Sequence, residues 1–247
     1  MTATAGERLF ARYAHAPNSL GYCGPAAASV LRAAACGRPA TSHEVGRVAR
    51  QFSGAWPYQQ LIGELVGLDP LSEEVGRAYW TGSALTETVD SRRLGELLIE
   101  RFAPQAGHYW SHLTPELLPE VTATHAFHVL GVYPWTRLLP VDAEAALSVL
   151  DGCRIRVGEI QAVRADRLTV AADALTWDGV RLALAPARTE EVAFTVEEGA
   201  FVDGPQVGDL VAVHWGFACD RLSPDQAATL LRQTEHQLDL TNARLTR

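Results

Sequence analysis

Apolar residues recur at helical spacing through most of the first 135 residues. In TSHEVGRVARQF, Val45, Val48 and Phe52 fall on one face, and the Thr-Ser-His-Glu start supplies an N-cap. The runs AAASVLRAAACG and SRRLGELLIERFAP have the same character, and they stop at a glycine and before a proline. The pattern therefore predicts that this part of the chain is mainly α-helical.

The pattern changes to alternation from Cys153 onward. The runs CRIRVGEIQAV, RLTVAA, RLALA, EEVAFTV and DLVAVHWGF are short and are separated by Asp-Gly, Ala-Pro and Gly-Pro turn signals. Such spacing predicts a small closed β-barrel. Ser223 and Pro224 then start a C-terminal helix with an apolar stripe. Upstream, the run HAFHVLGVYPW is rich in β-branched and aromatic residues and is predicted to be a further strand.

Together these patterns predict an α+β protein with two domains. Residues 1–145 form a mainly helical domain that carries a Cys-Gly-Pro motif. Residues 146–247 form the small β-barrel and the C-terminal helix. The boundary is placed in the connecting stretch TRLLPVDAEAALSVLDG, where neither period is sustained.

Composition narrows the possible functions. The chain of 247 residues is 47% hydrophobic and 20% charged, with a net charge of −8 and no lysine, which excludes lysine Schiff-base chemistry and a P-loop lysine. Its arginines are spread among carboxylates, so we expect no nucleic-acid partner. No apolar run approaches the roughly 20 residues of a membrane span, and the first residues have no apolar signal region. Four scattered cysteines indicate a reducing, cytoplasmic location.

A family resemblance lies in the C-terminal pattern. The segment VGDLVAVHWGFACDRLSPDQAATLLRQTEHQL resembles the strand-turn-helix segment of the HypC/HupF hydrogenase maturation chaperones, in which Val-Gly-Asp leads into a Val-His-x-Gly-Phe-Ala strand. Upstream, CRIRVGEI lies where those proteins begin with their cysteine. The resemblance covers residue 153 to about residue 240 and implies an OB-like barrel with a helix. The whole chain also resembles an uncharacterised, hydrogenase-associated bacterial family with a Gly-Tyr-Cys-Gly-Pro motif.

The resemblance points to two metal ligands. Cys153 corresponds to the iron-binding cysteine of that family, and His214 corresponds to its strand histidine. In that family the pair carries an Fe(CN)2CO fragment between the scaffold HypD and the large-subunit precursor of [NiFe] hydrogenase. A thiolate and a neutral imidazole suit low-spin iron. Here the cysteine is internal, and Val157 stands where the family has proline.

A second candidate site surrounds Cys23. In NSLGYCGPAAASVL this cysteine precedes Gly-Pro at an expected helix start, where the helix dipole would favour a thiolate. Papain-like and bacteriocin-processing peptidases place their nucleophile in a similar setting. A histidine of HAFHVLGVYPW, His125 or preferably His128, would then be the base. If that run is a strand, residues three apart face opposite sides, so only one of them can reach Cys23.

Two further patterns are weak signals for metal binding. His108 and His112 lie four apart and would share one face of a helix, but no Glu follows the first histidine as the zinc-protease pattern requires. Cys219 lies five residues after His214 and is more simply a buried apolar residue.

Three functions remain open from the sequence. The leading one is a maturation factor for a [NiFe] hydrogenase that binds iron, as Fe(CN)2CO, through Cys153 and His214 and docks on the large-subunit precursor or a HypD-like scaffold. The second is a cysteine-dependent hydrolase or acyltransferase that uses Cys23 and His128. The third is a docking protein that has lost the metal site. Whether the protein is an enzyme is left undecided.

Overall fold

The helices of the N-terminal part dominate the computed structural model, which describes residues 2–26, 29–103 and 112–246. Capping boxes start two of them, with Thr4 before α1 and Thr41 before α3. Short 3-10 turns lie between helices at Thr86–Thr88 and Pro115–Glu120. The helices are α1 (Ala5–Ser19), α2 (Ser29–Ala35), α3 (Ser42–Ala49), α4 (Trp56–Val66), α5 (Glu73–Trp80), α6 (Ser91–Phe102), α7 (His125–Phe127), α8 (Trp135–Leu138) and α9 (Ala143–Cys153).

The strands of the C-terminal part form one mixed sheet that closes on itself. Its order is β1-β2-β3-β7-β6, and β6 pairs back with β1. Neighbouring strands are antiparallel except β3 and β7, which run parallel and meet at Ala193 and Phe217. A separate pair, β4 and β5, is a small hairpin. The strands are β1 (Arg156–Val163), β2 (Arg167–Trp177), β3 (Leu182–Ala193), β4 (Thr195–Val196), β5 (Gly199–Ala200), β6 (Leu210–His214) and β7 (Phe217–Leu222).

The C-terminal helix α10 (Pro224–Leu245) completes the α+β order that the sequence predicts. Its start is the expected cap, because the Ser223 hydroxyl accepts the Gln226 N–H and Gln226 reaches back to the Ser223 backbone. Near its end, the Asn242 side chain bonds both backbone groups of Leu182 and ties the helix to β3. Among the residues described, no helix combines the length and the apolarity needed to cross a bilayer.

The run HAFHVLGVYPW is helical, so the strand predicted there is wrong. Helix α7 continues directly into a π-helical turn, His128–Val132. Its apolar members, including Phe127, Val129 and Leu130, are fully buried. Short apolar runs of this kind are equally compatible with a buried helix and a buried strand, and here packing selects the helix.

The main hydrophobic core joins residues from both parts of the chain. It contains Phe10 and Leu94 from the helices together with Ala212 and Phe217 from the sheet. The boundary predicted after residue 145 lies inside α9, which leads straight into the sheet. The candidate site lies where the two parts meet.

Candidate metal centre

Cys153 is the last residue of α9, and the chain around it is anchored to strand β2. The Arg154 guanidinium donates to the Asp151 carboxylate at 2.7 Å and to the Asp173 carbonyl at 2.6 Å. The Leu175 N–H donates to the same Asp151 carboxylate at 3.0 Å. Because Arg154 and Asp151 are both buried, this ion pair holds the end of the helix in one place. Cys153 therefore lies at a helix end rather than at the start of a strand.

His214 is the last residue of β6, on the strand predicted for it. Its Nδ1 lies 2.8 Å from the carbonyl oxygen of Tyr13 in α1. Since a carbonyl only accepts, Nδ1 carries the proton and Nε2 carries the lone pair. This Nε2 is buried and has no hydrogen-bond partner among the described residues. Helix α1 thus sets the tautomer and leaves the nitrogen that a metal needs available.

His125 lies in α7 and contacts both Cys153 and a tyrosine. Its Nε2 is 3.1 Å from the Cys153 carbonyl oxygen and 3.9 Å from the Cys153 Sγ. Its Nδ1 is 2.9 Å from the Tyr79 hydroxyl, which also lies 3.2 Å from the Gly54 carbonyl oxygen. With the proton on Nε2, His125 donates to the Cys153 carbonyl and accepts from Tyr79. With the proton on Nδ1, Tyr79 donates to Gly54 instead, and Nε2 is available as a ligand.

These three side chains form a buried cluster. One ligand atom from each of His125, Cys153 and His214 lies within 4.8 Å of the others. A thiolate with two imidazoles suits iron, zinc, copper or cobalt, and three protein ligands leave a coordination position for a further group. The buried Nε2 of His214 supports this fit, since no described residue forms a hydrogen bond with it.

Burial keeps the groups of the cluster uncharged. Burial lowers the pKa of His214 to about 4, while the hydrogen bond to the Tyr13 carbonyl acts in the opposite direction. Burial also lowers the pKa of His125 well below its ordinary value, and the neighbouring His214 and His128 add to this. Burial, with a smaller contribution from Cys23, raises the pKa of the Cys153 thiol to about 12, and the Trp215 indole opposes the shift. The imidazoles are therefore neutral, and the thiol must lose a proton to bind a metal.

The cluster opens into a cavity of about 210 Å³ with mainly apolar walls. Cys23 and His128, the residues predicted for thiol catalysis, line the same cavity as the predicted metal ligands. The fold therefore brings all four predicted site residues together, with His125 added. The remaining lining residues are Ala14, Pro17, Tyr22, Phe52, Gly54, Ala55, Trp80, Tyr133, Trp135, Val149 and Trp215.

Cys23 lies in the loop after α1, and the Asn18 side chain stabilises this loop through hydrogen bonds. The Asn18 side-chain amide donates to the carbonyls of Cys23 at 2.8 Å and Pro25 at 2.7 Å. Burial raises the pKa of the Cys23 thiol, although the N–H groups of Gly54 and Gly24 act against this. The thiolate expected from a helix start is therefore not favoured in this conformation.

His128 lies one helical turn after His125, so both histidines face the same cavity. Their ring centroids are 6.0 Å apart. The His128 Nδ1 lies 3.3 Å from the Tyr58 hydroxyl, and burial lowers the pKa of His128 to about 3. Residues three apart share a helix face, so the expectation that only one of the two reaches Cys23, which assumed a strand, does not apply.

Trp215 borders the cavity in an unusual backbone conformation. It forms the two-residue turn between β6 and β7 with Gly216, and their φ angles are 51° and 70°. Positive φ at both positions defines a type I′ hairpin, which strongly prefers Asn-Gly. In the described part of the chain, Trp215 is the one non-glycine residue with positive φ. A bulky residue there costs roughly 1–2 kcal/mol.

The weaker candidates for metal binding lie away from the cluster or outside the described residues. Cys219 is buried and its Sγ lies 3.4 Å from the Phe217 carbonyl oxygen, without contributing to the cavity wall. His112 is 2.8 Å from an Arg137 nitrogen. His108 lies outside the described residues, and so does the predicted pair that it forms with His112.

His125 is the candidate ligand that sequence analysis missed, since it was considered only as a base for Cys23. The signal was present as His-x-x-His in HAFHV, which places two imidazoles on one face if the run is helical. Assigning the run to a strand concealed it.

Fold and site define an α+β protein with a buried cysteine–histidine centre between its helical part and its closed sheet. The chain belongs to DUF6390, a family of unknown function whose model matches residues 2–247. No curated protein matches it, and no solved structure does either.

Proposed function

We propose that this protein is an accessory factor of [NiFe] hydrogenase maturation that holds an iron fragment, as Fe(CN)2CO, on Cys153, His214 and His125. One observation carries the proposal. The two ligands suggested by the HypC/HupF resemblance, 61 positions apart in the chain, belong to one buried group of three metal-ligating side chains. Such a convergence is not expected of two unrelated core residues.

The donors suit the cargo that the resemblance suggests. Cys153 supplies a soft thiolate, and His214 and His125 supply neutral imidazoles. The mainly apolar cavity beside them, about 210 Å³ in volume, has room for small ligands on the iron. Buried walls would exclude water from such a fragment. We also propose that the closed sheet is an OB-like barrel of the HypC kind. The partners in this proposal are a HypD-like scaffold and the large-subunit precursor.

The test is an infrared spectrum of protein purified without oxygen from a host that makes active hydrogenase. Cyanide and carbonyl stretches are expected in the wild type and are expected to disappear in Cys153→Ala, with loss or strong reduction in His214→Ala. Cys219→Ala is the matched control, because this cysteine is equally buried but outside the cavity. A blank wild-type spectrum while the host completes its hydrogenase would rule out the carrier role.

A cysteine hydrolase or acyltransferase is the second candidate, because Cys23 and His128 line one cavity. The shifts in pKa work against a reactive pair: burial raises that of the Cys23 thiol and lowers that of His128 to about 3. Labelling with iodoacetamide separates the two functions. If the protein is a hydrolase, iodoacetamide labels Cys23 fast, and the labelling slows in His128→Gln. An iron carrier requires neither fast labelling of Cys23 nor a dependence on His128.

A further inference from the structure

The conformation of Trp215 has no explanation in the turn itself. Asparagine or glycine would fit its position in a type I′ hairpin without strain. Strain of this kind persists where the surrounding structure requires a particular side chain in a particular place.

The last turn of α9 packs closely against this tryptophan. The Trp215 backbone N–H donates to the Gly152 carbonyl at 2.8 Å. A Cβ on Gly152 would lie 2.9 Å from the Trp215 ring, closer than packed atoms approach. Gly152 directly precedes Cys153. The turn between β6 and β7 therefore packs against the helix end next to Cys153, and His214 directly precedes Trp215 in the chain.

The polar group of the Trp215 ring is shielded from water. Its indole nitrogen is buried and forms no hydrogen bond with any described residue. Trp215 lines the same cavity as Cys153 and His214. On its outer side the ring stacks on Tyr22 at a centroid distance of 4.1 Å and an interplanar angle of 17°. Tyr22 is 56% exposed and adjoins Cys23, so the stacked pair lies between the cluster and solvent.

We propose that Trp215 is a positioning residue of the metal site, whose indole N–H donates to the Cys153 thiolate and whose ring, stacked on Tyr22, covers the cluster. The inference rests on the proposed metal binding but does not depend on which metal is bound. A donor directed at a metal-bound sulfur withdraws electron density from it. It therefore stabilises the thiolate and raises the energy of sulfur-to-metal charge transfer.

The experiment is a titration of the full chain with Co²⁺, which reports thiolate coordination through its charge-transfer absorption. Trp215→Phe keeps a ring and removes the N–H. We expect roughly 10-fold weaker Co²⁺ binding, since a hydrogen bond to a charged group is lost, and a charge-transfer band displaced to longer wavelength. Trp135→Phe is the matched control, because Trp135 lines the same cavity; it is expected to leave the band where it is in the wild type.

Two more variants separate the parts of the proposal. Gly152→Ala keeps the indole but forces it from its place, and it is expected to displace the band as Trp215→Phe does. This variant also keeps the test available if Trp215→Phe does not fold, because alanine is a better helix former than glycine. Tyr22→Ala is expected to leave the band unchanged and to speed loss of Co²⁺ to a chelator several-fold.

The outcomes distinguish this inference from the proposed function. If the wild type binds Co²⁺ in a Cys153-dependent way and Trp215→Phe matches Trp135→Phe in both affinity and band position, the role of Trp215 is wrong and the metal site stands. If the wild type shows no Cys153-dependent binding, the metal site is wrong, and the role of Trp215 fails with it.

Discussion

Single residues in the cluster differ in what they must do to bind a metal. His214 already presents an unprotonated Nε2, because its Nδ1 proton is held by the Tyr13 carbonyl. His125 needs only a change of tautomer, which the Tyr79 hydroxyl and the Gly54 carbonyl can accommodate. Cys153 alone must lose a proton, since burial raises the pKa of its thiol to about 12. Metal binding is therefore linked to one proton rather than to three.

This linkage predicts the pH dependence of metal affinity. Below a thiol pKa of about 12, the logarithm of the Zn²⁺ or Co²⁺ association constant should rise by about one for each pH unit between pH 6 and 8. The imidazoles add nothing, because the pKa of His214 is about 4 and that of His125 is well below its ordinary value. Chelator competition at several pH values measures the slope. Cys153→Ala should bring it close to zero, and a flat wild-type profile would exclude Cys153 as a ligand.

At the scale of elements, the site depends on docking the helices against the sheet. Helix α1 supplies the carbonyl that orients His214, and α1 itself is tied to strand β7 by Asp220. The Asp220 carboxylate accepts from Arg12 of α1 at 2.9 Å and from Arg77 of α5 at 3.1 Å. Its side chain is 8% exposed, so the network is largely removed from water. One carboxylate thus joins two helices to the sheet beside the site.

Asp220→Asn should therefore weaken the whole molecule. The change removes the counter-charge of the partly buried Arg12 and leaves Arg77 paired with Glu73, and we expect a loss of about 2 kcal/mol in the free energy of unfolding. Urea denaturation at pH 7 measures it. Glu96→Gln is the comparison, because its partner Arg92 is 84% exposed and such pairs contribute little. Equal, small effects in both variants would show that the network does not hold the parts together.

For the whole molecule, the buried imidazoles make stability depend on pH. His128 and His214 are buried, with pKa values of about 3 and about 4, against the 6.5 of an exposed histidine. As the pH falls below 6.5, the unfolded chain binds protons that the folded chain cannot bind. The folded state is therefore fully favoured above about pH 6.5 and loses stability as the pH falls towards 4.

Denaturation at pH 7 and pH 5 should show this loss. Each of these histidines is expected to contribute on the order of 2 kcal/mol of destabilisation over that interval. His128→Gln should reduce the difference between the two pH values, whereas His236→Gln, on the exposed face of α10, should not. A wild-type stability that is the same at both values would mean that the histidines are protonated in the folded state.

Several properties follow from the sequence alone because local chemistry decides them. The helices with Thr41 and Ser223 caps, the strand that ends at His214 and the α+β order of elements depend on neighbours in the chain. The candidate ligands Cys153 and His214 came from a motif resemblance. The sequence thus supplied the elements and most of the reactive side chains.

The tertiary structure decided how those side chains meet. Packing makes HAFHV a helix, where the sequence pattern predicts a strand. His125 and His128 therefore lie on one face. Docking of α1 placed a carbonyl at hydrogen-bond distance from His214. The hairpin turn with positive φ at Trp215 placed an indole in the wall of the cavity that Cys153 also lines. These arrangements depend on contacts between residues distant in the chain, and burial between them sets the pKa values. Local periodicity carries no information about such contacts, which is why only the folded molecule shows a single centre.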